Sequence, residues 1–90
     1  MALVTKDNIE INSDNWTEIL DTGNSSGYIV VFQGDCYIAF TNNNSNDEPS
    51  VPGFLVSSDP REIEVPSGTK VWGRKGKLSS YSIITPNIIE

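Results

Sequence analysis

The stretch Tyr28–Phe40, YIVVFQGDCYIAF, decides the class of fold. Two runs of aromatic and β-branched residues flank Gln33, Gly34 and Asp35, which have the composition of a turn. Strand alternation puts Tyr28, Val30 and Phe32 on one face and Ile29 and Val31 on the other. Both faces are apolar, so this strand is expected to be covered on both sides or to lie at a subunit contact. The following run divides in the same way, with Cys36, Ile38 and Phe40 against Tyr37 and Ala39. The pair reads as a β-hairpin with QGD at its tip. Burial in such a strand accounts for Cys36 as an inert core thiol.

The same grammar extends in both directions. NIEIN, WTEIL, FLVS, EIEV, KVWGR and YSIIT are short bursts of period two or of strand composition, separated by TGNSSG, SSDP, PSG and RKGK. The segment NSDNWTEIL has one competing reading, a short helix capped by Ser13 or Asp14. Seven or eight short antiparallel strands at spacings of about ten residues predict an all-β domain, either a compact sandwich of jelly-roll type or a small barrel. Val30, Phe32, Ile38, Phe40, Leu55, Val65 and Val71 are the expected core. With no repeat and no linker, residues 1–90 form one domain, with residues 1–8 as an N-terminal arm and 86–90 as a C-terminal tail.

A chain of 90 residues supports only a thin core, which favours completion by a partner subunit. The single cysteine precludes an intrachain disulfide, which fits assembly in a reducing compartment. No apolar run has the length of a signal peptide or of a membrane span, so a soluble, unprocessed chain with no membrane partner is expected. The net charge is −6 and unevenly placed. Residues 1–60 hold nine acids against one base, and residues 61–90 hold five bases against three acids. Such an acidic chain is a poor ligand for nucleic acid, and the basic segment reads either as a solvated turn or as a patch that orients the protein on a partner.

Chemistry is hard to place on these residues. The chain has no histidine, which removes Ser–His and Cys–His nucleophile systems and, with one cysteine, a transition-metal site. Its carboxylates sit in polar stretches with no apolar pocket indicated to raise a pKa. The loop TNNNSNDEPSVPG after Phe40 spaces Asn42, Asn44, Asn46 and Glu48 like early calcium ligands. An EF-hand counted from Asn42 would need glycine where Asp47 stands and glutamate where Gly53 stands. The loop therefore reads as a long polar connection, stiffened by Pro49 and Pro52. No enzyme, cofactor or metal is expected.

The order of features is more distinctive than any one of them. NWTEIL precedes a strand ending in glutamine, YIVVFQG; YIAFT leads to a polar loop closed by EPSVPGFLV; and VPSGTKVWGRKGK precedes the last strand, YSIIT. Between Trp16 and Thr85 this arrangement resembles the small all-β accessory proteins of tailed bacteriophage virions, which decorate or cement capsids or sit at heads and tails. The resemblance implies a non-enzymatic virion protein, assembled in the host cytoplasm. It would bind the major capsid protein or another virion protein, as a homo-oligomer and most simply a trimer. The residues then expected at a partner are Leu3 and Val4 of the arm, Arg74, Lys75 and Lys77 of the basic turn, and Asn43 and Asn44 of the loop. A plainer assignment lets Leu3 and Val4 begin the first strand while Ile88 and Ile89 cap the core. The alternative function is a module recognising carbohydrate or a host surface, with Trp16, Trp72 or Tyr81 as a stacking platform.

Overall fold

The structure, a computed structural model, describes residues 3–58 and 61–90. The described residues are all-β, with nine strands among them: β1 (Leu3–Thr5), β2 (Ile9–Ile11), β3 (Thr17–Asp21), β4 (Ser26–Gln33), β5 (Asp35–Asn42), β6 (Phe54–Ser57), β7 (Arg61–Val65), β8 (Thr69–Lys75) and β9 (Ser82–Ile89). They form two antiparallel sheets. The first has the order β1-β9-β4-β7 with β2 also on β9, and the second has the order β3-β8-β5-β6. This is a sandwich, not a barrel.

The strand count exceeds the expected seven or eight because the first strand is interrupted, for a definable reason. Pro86 lies within β9, flanked by β4 on one side and by β1 and β2 on the other. Its carbonyl accepts from the Lys6 N–H (2.9 Å), so its missing donor faces the same edge. A continuous first strand would leave the Lys6 carbonyl without a ladder partner there. The chain pairs up to Thr5, departs at residues 6–8 and pairs again from Ile9.

Counting β1 and β2 as one interrupted strand, the sheets read 1-8-3-6 and 2-7-4-5, the double Greek key of a jelly roll. The register shows how the chain reaches it. Leu3 pairs with Ile89, Gly27 with Val65 and Asp35 with Ser57, all symmetric about Asn46. The molecule is one long antiparallel ribbon whose tip is the polar loop, bent at corners so that successive lengths fall in opposite sheets. Backbone bonds carry the ribbon round each corner: Ser58 N to Gly34 O (3.1 Å), Gly68 N to Gly23 O (2.8 Å) and Lys75 N to Ser13 O (2.7 Å).

This topology corrects the hairpin reading. β4 pairs with β7 and β9, while β5 pairs with β6 and β8, so QGD is a corner between sheets and not a hairpin tip. Gly34 makes the corner with φ of 78°, and a Cβ there would collide with the Tyr81 carbonyl oxygen. NSDNWTEIL is not a helix: Thr17–Asp21 is β3, whose bulge between Glu18 and Leu20 turns Ile19 and Leu20 together into the core. Residues 86–90 are not a free tail, since β9 runs to Ile89, and Leu3–Thr5 of the expected arm is paired with it. The turn expected at Ser57–Pro60 lies partly outside the described residues.

Between the sheets lie Ile11, Ile19, Leu20, Ile29, Val31, Cys36, Ile38, Val56, Val65, Val71 and Ile84. Ile38, Val65 and Val71 were expected there, but Val30, Phe32, Phe40 and Leu55 are not buried. The inward face of β4 is Gly27, Ile29 and Val31, which leaves Val30 and Phe32 outside. Leu55 pairs with Tyr37 on the outer face, and Phe40 meets Phe54 edge-on at the rim (centroids 6.1 Å apart). Ile29→Ala or Ile38→Ala should cost about 2–5 kcal/mol in urea denaturation, enough to unfold a domain this small. Phe32→Ala, at a site 41% exposed, should cost only about 1–2 kcal/mol.

Candidate functional site

The two outer faces of the sandwich differ in what covers them. On the second sheet, alternation points Trp72 and Arg74 of β8, Tyr37, Ala39 and Thr41 of β5, and Glu18 of β3 outward. Arg74 stacks on two aromatic rings, 4.4 Å from the Tyr37 centroid and 5.1 Å from that of Trp16. Its guanidinium also donates to the Pro52 carbonyl (3.0 Å). Lys70 donates to the Ser45 carbonyl (3.1 Å) and stands 3.7 Å from the Glu18 carboxylate. The Trp72 indole donates to the Thr41 hydroxyl (2.8 Å), and Pro49 is buried. The ribbon tip, residues 43–53, is thus fastened over this face by cationic side chains acting on its carbonyls.

The outer face of the first sheet has a different composition. Leu3, Thr5, Glu10, Ser26, Tyr28, Val30, Glu62, Glu64, Ile83, Thr85, Asn87 and Ile89 point outward, and Phe32 joins them at the bulge between Val31 and Gln33. Asn87 is buried among its neighbours, accepting from the Thr5 hydroxyl (2.7 Å) and donating to the Thr85 carbonyl (3.2 Å). No lysine or arginine stands at these strand positions. The excursion at residues 6–8 reaches the edge of this face, where the Asn8 side-chain oxygen accepts from the Thr85 hydroxyl (2.7 Å). Tyr28, Val30, Ile83 and Ile89 remain half-exposed, Leu3 is 56% exposed and Phe32 41%. These apolar side chains stand among polar neighbours and are the candidate interaction surface on this face.

The residues expected at a partner do not converge. Leu3 and Val4 belong to the edge of the first sheet, where Leu3 is part of the apolar face and Val4 pairs with Ile88. Arg74 is committed to its internal stack. Lys75 lies 3.7 Å from the Asp14 carboxylate, and Lys77 is exposed in the turn after β8. The Asn43 amide donates to Asp21 (3.3 Å) and to the Gly23 carbonyl (3.5 Å), while Asn44 is exposed. Of the aromatic platform, Trp72 is 8% exposed and Trp16 lies under Arg74, whereas Tyr81 is 38% exposed with its hydroxyl accepting from Gln33. The β4 part of the first sheet's outer face was marked in the sequence by the second apolar face of Tyr28–Phe32, whereas the contributions of Ile83 and Ile89 carried no separate signal.

One buried polar group organises the opposite end. Asp35, 4% exposed, accepts from the backbone N–H groups of Lys77 (3.2 Å), Leu78 (3.0 Å) and Ser79 (2.8 Å). Burial alone would raise its pKa, but these donors and the Ser79 hydroxyl outweigh it and hold the carboxyl below its ordinary 3.8. Gly76 makes room, since a Cβ there would stand 2.6 Å from the carboxyl carbon. Beside it, burial pushes the Cys36 thiol above its usual 9.0, an effect the Ser82 hydroxyl opposes and the Asp35 charge reinforces. Such a thiol is a poor nucleophile.

The class is therefore a small jelly-roll sandwich with exposed apolar side chains on the outer face of its first sheet and a carboxylate clamp at its corner. Comparison with known proteins adds no relative: no family model, curated protein or solved structure matches the chain.

Two outcomes follow from this geometry. A carboxyl depressed in the folded state stabilises above its unfolded pKa, and that stability is lost as pH falls through the folded value, hence below about 3.8. Asp35→Asn should cost about 1–3 kcal/mol at neutral pH and flatten the acid limb of a stability-versus-pH curve. Arg74→Ala should leave the sandwich intact but raise amide exchange in residues 43–53, because the ribbon tip loses its stacked anchor.

Proposed function

We infer that the chain is a non-enzymatic structural protein that attaches to an assembled protein lattice, as a decoration, cement or head–tail accessory component of a bacteriophage virion. The observation that carries this reading is the group of exposed apolar side chains on the outer face of β4 and β9, formed by Tyr28, Val30, Phe32, Ile83, Ile89 and Leu3 of β1. Jelly-roll architecture occurs in viral capsid domains, but also in lectins and cupins, so the fold supports the reading without carrying it. The resemblance running from Trp16 to Thr85 supplies the particular setting. A core of this size gains from association, and a specific attachment should bury about 1,000 Å² or more per copy. In this reading the protein acts as a homo-oligomer, a trimer on a symmetric lattice, and reaches its lattice in the host cytoplasm.

The test is co-sedimentation of purified protein with virions, empty capsids and isolated tails. Wild-type protein is expected to pellet with one of these, and Val30→Asp or Phe32→Asp to remain in the supernatant with an unchanged far-ultraviolet circular dichroism spectrum. Failure to pellet with any particle would overturn the reading, as would equal attachment by both variants.

A further inference from the structure

The ladder geometry singles out a second surface, the outer edge of β7. Because the Pro86 carbonyl faces β1 and β2, those of Asn87 and Thr85 face β4, and Tyr28 and Val30 are the residues that bond them. The next residues along β4, Gly27, Ile29 and Val31, therefore bond Val65, Ile63 and Arg61 of β7. This leaves the N–H and C=O groups of Glu62 and Glu64 directed away from the sheet, with no strand beyond them among the described residues. The other edges are blunted. β1 and β2 are interrupted at residues 6–8, β3 is bulged and β6 has four residues, whereas β7 runs five residues in unbroken register.

The side chains above that edge state what it can accept. Glu62 and Glu64 are both exposed, and with Tyr28, Pro66 and Ile89 they line a groove of about 550 Å³ alongside the strand. Two copies of β7 paired antiparallel about Ile63 would set Glu62 opposite Glu64 twice, a like-charge arrangement that disfavours self-pairing. An added strand of another protein avoids this repulsion when it places lysine or arginine opposite both carboxylates. Its intervening residue would stand beside Ile63, on the inner face, where an apolar side chain fits.

We propose that the β7 edge accepts an extended segment of a partner protein by strand addition, the segment carrying basic residues at alternate positions with an apolar residue between them. The main-chain groups of Glu62 and Glu64 supply the ladder, and their carboxylates select the charge. The groove beside Tyr28 holds the aliphatic stem of one basic side chain, with its charge against Glu64. This inference rests on the edge and its charges and is independent of any virion role.

The experiment titrates isotope-labelled protein with the capped peptides TKVKVT and TEVEVT, following amide shifts and hydrogen exchange by NMR. The basic peptide should perturb Arg61–Val65 and Tyr28, protect the Glu62 and Glu64 amides, and bind about tenfold more tightly than the acidic one. Glu62→Lys with Glu64→Lys should invert that preference. Absence of β7 perturbation by TKVKVT, or equal binding of both peptides, would overturn the proposal, as would an unchanged preference in a folded double variant. Co-sedimentation reads the adjoining apolar face, which shares Tyr28 and Ile89 with this groove but not the β7 ladder groups or carboxylates, so the Glu62 and Glu64 variants and the Val30 and Phe32 variants separate the two proposals.

Discussion

Asp35 fixes the corner at which the antiparallel ribbon crosses from one sheet to the other. Its carboxylate grips three consecutive N–H groups of the connection between β8 and β9, so two crossings at one end of the sandwich hold each other. Gly34, immediately before it, turns against Tyr81 and Ser82 at the far end of the same connection. If this contact opened, β4 and β5 could extend into a continuing ribbon, and the inward faces of Ile29, Val31 and Ile38 would separate. Hydrophobic burial drives the sheets together, but it does not say where the ribbon must bend. The bend is specified by a residue without Cβ followed by a carboxylate whose lone pairs are satisfied only when the neighbouring connection is in place.

The class of fold was legible in the period-two bursts and the spacing of turn residues, because both are local. Topology was not. A glycine flanked by polar residues between two strands has the same composition at a hairpin tip and at a sheet-crossing corner. What separates them, the pairing of β4 with β7 and β9, involves residues thirty or more positions away. The core face of Tyr28–Phe32 was ambiguous for a related reason: both faces are apolar, so alternation names two candidate sets and cannot choose between them. The bulge in β3 and the interruption at Pro86 are departures from ideal register that a sequence records only as an extra apolar residue or a proline. The resemblance to virion proteins drew on feature order, which is compatible with the jelly roll but does not itself define one.

The structure separates the basic residues that the sequence sets side by side. Arg74, Lys75 and Lys77 form a basic cluster in sequence, yet strand alternation sends Arg74 to the outer face of the second sheet, where it meets Trp16 and Tyr37. Lys70 and Arg74 hold down the ribbon tip through the carbonyl oxygens of Ser45 and Pro52. The polar loop that resembles a metal site is thus the folded end of the ribbon, and the cations of β8 fasten it.

This division of labour also explains where the uncompensated acid lies. The bases of β8 serve the second sheet, so the outer side of the first carries Glu10, Glu62 and Glu64 without a cation at its strand positions. Acidic side chains around an apolar surface keep it soluble without reducing its apolar area, and they repel a second copy of the same face. They therefore act as a selection rule for what can approach. In the proposed strand addition, positive charge brought to the β7 margin spares these carboxylates the cost of being desolvated unpaired. The charges that the sequence groups together in residues 61–90 thus divide in three dimensions, with Lys70 and Arg74 drawn to the second sheet and Glu62 and Glu64 left at the margin of the first.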